Sequence, residues 1–289
     1  MHICAKTLME VFMNNKSQEQ EKEKKEQMQK ENLERIKKKI IVMSGKGGVG
    51  KSTVATNLVY GLALQGKTVG ILDVDIHGPS IGKLMGIEGK KLGKPKNDNR
   101  PTPIKVVENV YAVTIASFLD SPDTPLVWRG PLKTGAIKQF LQDIEWPELD
   151  YLIVDCPPGT GDEPLTISQI LGGMDGSVIV TTPQDIALLD ARKTINFSKK
   201  MNVKVLGIVE NMSGFICPHC GEEINLFKKG GGEKAAKDFN VDLLGKIPVD
   251  KEIVESTDSG RPYIYDNSDN EGAKVYKNIT KKIIDKMGV

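Results

Sequence analysis

Residues 40–53 read IIVMSGKGGVGKST, an apolar run ending in a glycine-rich turn, and the turn leads straight into STVATNLVYGLALQ over 52–65. The apolar run has the composition of a strand buried on both faces. The stretch behind it repeats Ala55, Leu58, Val59, Leu62 and Ala63 at helical spacing. Between them, Gly45-Lys46-Gly47-Gly48-Val49-Gly50-Lys51-Ser52-Thr53 fits G-x-x-x-x-G-K-[ST]. Gly45, Gly47 and Gly50 also satisfy the G-x-G-x-x-G of dinucleotide sites. A dinucleotide needs only glycines for close approach of its pyrophosphate, whereas a triphosphate also needs a lysine against its charge and a hydroxyl for Mg²⁺. Lys51 and Ser52 supply both, so the turn reads as a P-loop.

Further along, TVGILDVD, VYAVTIA, YLIVD, SVIVTT, VKVLGIVEN and LLGKIPV repeat the short buried-strand pattern. Helical stretches at 185–201, 233–239 and 271–289 fall among or after them. Alternating strand and helix predicts an α/β fold, a doubly wound, mostly parallel sheet with helices on both faces. Such sheets bind ligands where strand carboxyl ends meet helix amino ends. The Gly-, Pro-, Lys- and Asn-rich segment 86–109 reads as a long surface loop or lid. Residues 14–39 hold only Met28, Leu33 and Ile36 as apolar side chains and read as a solvated tail, helical at most transiently. We therefore expect a charged extension over 1–38, with Met13 as an alternative start, and one domain over 39–289.

With 289 residues, 39% of them hydrophobic and 27% charged, the chain can bury a substantial core. Its 40 basic and 38 acidic residues leave no bulk field to draw nucleic acid. Four cysteines are too few for a disulfide scaffold, which points to a reducing, cytoplasmic setting. No stretch approaches the roughly 18 apolar residues of a membrane span. The basic, amphipathic segment 271–289 reads as a helix packed on the sheet, because Glu271 and Asp285 interrupt its cationic face.

Two strand ends offer carboxylates to the P-loop. Asp155 closes YLIVD ahead of Cys-Pro-Pro-Gly-Thr-Gly-Asp and is placed to hold hydrated Mg²⁺. Asp73 and Asp75 close ILDVD; side chains alternate along a strand, so both can face one side, with Asp75 farther out and in easier reach of water. Lys46 is a second lysine that the basic P-loop pattern does not require. Cys217-Pro-His-Cys220 has the spacing of one edge of a metal site, but the chain has no second C-x-x-C to close it. Two thiols per chain make four in a symmetric pair. An iron-sulfur cluster, a bridging zinc, a redox pair and a plain turn all remain compatible with the spacing. Cys156 reads as a buried space filler.

The K-G-G-x-G-K-[ST] of Lys46 to Ser52 resembles the deviant Walker A ATPases, among them nitrogenase iron protein, MinD and ParA. That resemblance implies that Lys46 acts across an ATP-dependent homodimer, in the manner of an arginine finger. GKGGVGKST at 45–53, DVDIHGPSIGKLMG at 73–86, WRGP at 128–131, DCPPGTGD at 155–162, ENMSGF at 210–215 and CPHC at 217–220 together resemble the Mrp/ApbC iron-sulfur carrier ATPases over roughly 38–285. The resemblance implies a homodimer that holds a labile [4Fe-4S] cluster on Cys217 and Cys220, passes it to apoproteins and hydrolyses ATP slowly. It assigns the phosphates to Lys51, the Mg²⁺ shell to Ser52 and Asp155, switch I to Asp75, and the base to Asn211. Relatives with an N-terminal ferredoxin-like cysteine cluster differ from this chain, which has only Cys4 there. The competing expectations are a MinD- or ParA-like positioning ATPase, an ATP-switched dimer with bridging zinc, and a metabolic kinase.

Overall fold

Strand β1, Ile36–Met43, sits in mid-sheet and is buried on both sides from Ile40 onward, so its alternate residues feed two cores. Ile40 and Val42 join one, Ile41 and Met43 the other. The computed structural model describes residues 27–75, 78–93, 100–118, 135, 144–217 and 219–288. After β1 come α1 (Lys51–Ala63), β2 (Val69–Asp73), α2 (Ile81–Leu84), β3 (Ile104–Val107) and β4 (Val110–Thr114). Next are β5 (Leu149–Asp155), α3 (Asp162–Ile170), β6 (Gly176–Thr181), α4 (Asp185–Lys200) and β7 (Val205–Glu210). The chain closes with β8 (Phe215–Ile216), β9 (Glu223–Ile224), α5 (Gly231–Phe239), β10 (Leu243–Lys246), α6 (Lys251–Ser259), α7 (Tyr263–Asp266) and α8 (Glu271–Met287).

The main sheet runs β10-β7-β6-β1-β5-β2-β4-β3, parallel except for β3 at its edge. It is the α/β, doubly wound arrangement the sequence predicts. Leu58 and Leu62 of α1 and Tyr276, Ile279 and Ile283 of α8 fill one face. Trp146 and Ile167 pack on the other, while Ala191, Ile195 and Ala235 cover β6 and β7 from α4 and α5. The apolar side of α8 is thus spent on the core, as expected for 271–289. Among the described residues, no helix is long and apolar enough to cross a membrane.

Two expectations are corrected. Segment 86–109 is not all loop: Ile104–Val107 turns through Asn109 and pairs antiparallel with β4, and Gly93 bridges Thr102. Residues 94–99 and the WRGP motif at 128–131 lie outside the described residues, as do Cys4 and most of the expected 1–38 extension. The solvated tail also ends earlier than expected. Residues 27–34 are helical, and β1 begins at Ile36 rather than near Lys39. Its anchor is polar, which an apolar count overlooks. Buried Asn32 donates to the Ile144 carbonyl and accepts from the Trp146 N–H at 3.0 Å, while Gln29 Nε2 donates to the Ile170 carbonyl at 2.7 Å. Asn32→Ala strands two buried backbone groups, so the urea midpoint should fall by the equivalent of about 2–3 kcal/mol. An unchanged midpoint would detach this helix from the fold.

Candidate nucleotide and thiol site

The P-loop spans the gap between β1 and α1 at the carboxyl edge of the sheet. Gly48 and Gly50 have φ of 78° and 80°, a left-handed backbone that favours glycine. A Cβ on Gly50 would also strike the Asn211 amide. A cleft of 260 Å³ opens above the loop, lined by Lys46, Gly47, Gly48, Gly50, Lys51, Ser52 and Thr53, with Asp75 and Pro158 across from them. Gly45 lies beneath, against Asp190, and Val49 is buried. A roomier groove of 510 Å³ between α4 and α5 lies beside Asp185 and Arg192, without the glycine-rich backbone or the lysine pair.

Lys51 Nζ lies 2.6 Å from Asp155 Oδ1 and 3.2 Å from Ser52 Oγ, and that hydroxyl donates to Asp155 Oδ2 at 2.6 Å. Lys51 is only 7% exposed and Asp155 wholly buried. Burial pushes the Asp155 carboxyl up, and Lys51 and Ser52 pull against that shift. A hydroxyl, a carboxylate and space beside them form the hard-oxygen donor set that hydrated Mg²⁺ takes. Lys46 Nζ reaches Gln184 Oε1 at 3.4 Å on the rim of the cleft.

Asp73 and Asp75 divide the work at the end of β2. Asp73 is fully buried and accepts from the Asp75 and Ile81 N–H groups at 3.1 and 3.3 Å and from the Thr114 hydroxyl at 3.1 Å. Burial, with Asp155 nearby, pushes its carboxyl up to about 8. Asp75 Oδ1 accepts from the Gly78 N–H at 3.3 Å and the side chain borders the cleft. Ile76 and His77 between them lie outside the described residues. Burial also pushes up the Cys156 thiol next to Asp155, in keeping with a space filler.

Asn211 follows β7 and donates from Nδ2 to the Val49 carbonyl at 2.9 Å. Its amide nitrogen therefore braces the loop and leaves Oδ1 as an acceptor. Four residues on, β8 and β9 form a small antiparallel hairpin whose connection carries Cys217 and Cys220. Cys217 N–H donates to the Glu222 carbonyl and Gly221 N–H to the Cys217 carbonyl, at 2.9 and 2.8 Å, closing a tight turn. The backbone N–H groups of Cys220 and His219 hold the Cys217 thiol below its ordinary range. Cys220 is exposed and Cys217 partly so. Among the described residues no third His, Cys, Asp or Glu joins them in a metal-sized group. Pro218 lies outside the described residues. Two side chains escaped sequence reasoning: Gln184, which has no motif around it, and Glu210, the first residue of ENMSGF, whose burial depends on tertiary contacts.

This fold and this loop define a P-loop NTPase. A family model described as NUBPL iron-transfer P-loop NTPase matches residues 35–284, and the chain belongs to that family. An iron-sulfur cluster carrier protein of Methanocaldococcus jannaschii is 47% identical over 259 residues, covering 89% of this chain and 88% of its own. One of the same name from Saccharolobus solfataricus is 47% identical over 252 residues, 87% and 84% of the two chains. A solved nucleotide-binding protein of Archaeoglobus fulgidus in complex with ADP is 40% identical, with a TM-score of 0.72 over 83% of this chain and 93% of its own. The MinD ATPase of Pyrococcus furiosus, 23% identical with a TM-score of 0.61 over 86% of this chain and 99% of its own, shares the fold.

Proposed function

We propose that this chain is an ATP-dependent iron-sulfur carrier that binds a labile [4Fe-4S] cluster across a homodimer, passes it to apoproteins in the cytoplasm, and hydrolyses ATP slowly. One observation carries the reading: an accessible pair of thiols, with no further ligand beside it among the described residues, stands six and nine residues beyond the amide that braces the P-loop. A pair is half a cluster site, and a two-fold partner supplies the other half.

The nucleotide chemistry follows from the residues around the cleft. Gly47 to Gly50 present backbone N–H groups to phosphate oxygens, and Lys51 offsets their charge. Ser52 and Asp155 would hold Mg²⁺, which supplies charge neutralisation at the β- and γ-phosphates when bound. On nucleotide binding Lys51 exchanges Asp155 for phosphate. Asp75 orders the attacking water, Lys46 reaches the partner's nucleotide, and Asn211 Oδ1 accepts from the adenine amino group.

The test is transfer. Cluster-loaded protein mixed anaerobically with an apo acceptor of the [4Fe-4S] class should restore acceptor activity even with a chelator present, and ATP should change the rate. Restoration that the chelator abolishes would mean delivery of free iron and would overturn the carrier reading.

A further inference from the structure

Glu210 is wholly buried at the carboxyl end of β7, and its carboxylate is divided between two chain segments. Oε1 accepts from the Ser213 hydroxyl at 2.5 Å. Oε2 accepts from the Gly232 N–H in the first turn of α5, where a carboxylate is favoured by the exposed N–H groups and the helix dipole. A Cβ on Gly232 would press on this carboxylate, so the approach is close. Ser213 is where the chain leaves for the thiol hairpin, and Gly232 is where it returns. One buried side chain thus holds both feet of the excursion over 214–231 that presents Cys217 and Cys220.

The neighbouring residue holds the nucleotide loop. Asn211 bonds the Val49 carbonyl through its side chain at 2.9 Å and the Thr181 carbonyl through its backbone N–H at 2.8 Å. Additional ties bind the excursion to the same edge of the sheet. Ser213 N–H donates to the Ile247 carbonyl and Val249 N–H to the Gly214 carbonyl, both at 2.8 Å. On the return side, Gly231 packs on the Pro183 backbone and Lys228 pairs with Asp185, next to the Gln184 that receives Lys46. The exposed Lys228–Asp185 pair is worth little alone. The buried carboxylate is the stiff joint, because releasing either foot leaves an unpaired polar group in a dry environment.

We propose that Glu210 is a positioning residue that joins the P-loop to the thiol excursion, so that nucleotide occupancy changes the accessibility of Cys217 and Cys220. A shift of the loop at Val49 moves Asn211, and Glu210 carries both feet of the excursion with it. The inference rests on the carrier reading only for the purpose of the thiols. Its test uses metal-free protein, so failure of cluster loading and failure of this coupling are separate results.

The full chain, freed of metal, is alkylated with iodoacetamide with and without saturating Mg²⁺ and a non-hydrolysable ATP analogue, and site-specific rates are read by peptide mass spectrometry. In the wild type, nucleotide should change the rates at Cys217 and Cys220 by about fivefold or more. In Glu210→Met, which has no strong acceptor for either foot, that ratio should collapse toward one. Should Glu210→Met fail to fold, Ser213→Ala removes only the bond between Glu210 and the entry foot and should reduce the ratio, and Ser213→Thr, which keeps the hydroxyl, should restore it. Wild-type rates indifferent to nucleotide, or either disabling variant responding like the wild type, would overturn the proposal.

Discussion

Lys51→Ala should weaken ATP binding by about 100-fold or more, the equivalent of about 3 kcal/mol for lost charge-assisted contacts to phosphate. Titration calorimetry reads it directly. The same substitution should destabilise the nucleotide-free protein. Asp155 is buried with Lys51 as its cation, and removing one member of such a pair costs about 3–5 kcal/mol. That penalty depends on pH in a definite direction. Burial already raises the Asp155 carboxyl, and without Lys51 only Ser52 opposes the shift. A carboxyl raised in the folded state keeps its proton while the unfolded chain releases one, so stability is lost as pH rises through that interval. The deficit of Lys51→Ala relative to wild type should therefore shrink toward acid and widen toward neutral pH in chemical denaturation. A deficit independent of pH would mean that Asp155 does not depend on Lys51.

Lys46→Ala should separate binding from hydrolysis. Lys46 stands at the rim of the cleft with Gln184 as its partner, so the cleft of one chain keeps Lys51, Ser52 and the glycine backbone without it. If it completes the partner's site as proposed, its removal should lower the ATPase rate by about 1,000-fold, as for a trans-acting arginine, while ATP affinity changes little. Asp75→Asn should also be hydrolysis-deficient if Asp75 orders the water as proposed, and mixing it with Lys46→Ala should then recover activity in mixed dimers, because one composite site of each mixed dimer carries no lesion. A Lys46→Ala enzyme that still hydrolyses ATP at the wild-type rate would remove the trans role.

Much of the sheet was legible because its central strands are buried on both faces and read as unbroken apolar runs such as Ile40–Met43 and Leu152–Val154. The P-loop was legible for a different reason: its backbone needs glycine at fixed places, and Gly48 and Gly50 carry the positive φ that demands it. Edge strand β3 was hidden among glycines, prolines and lysines, since an edge strand needs to bury only part of one face. The docking of the helix at 27–34 was hidden because Asn32, a polar residue, anchors it through backbone partners more than 110 positions away in sequence. Glu210 was passed over for the same reason. Nothing local distinguishes a buried acid from a solvated one until Ser213 and Gly232 are folded around it. Alternation along a strand cannot show that Asp73 is enclosed by the Ile81 and Thr114 donors while Asp75, beyond the end of β2, reaches the cleft.

The carrier reading is tested most directly by iron. Wild type and the Cys217→Ala/Cys220→Ala variant are reconstituted anaerobically with iron and sulfide, and both elements are measured per dimer together with visible absorbance. The account predicts about four iron and four sulfide per wild-type dimer, absent from the variant. Iron retained by the variant, or a wild type that takes up no iron and holds zinc tightly instead, would contradict it.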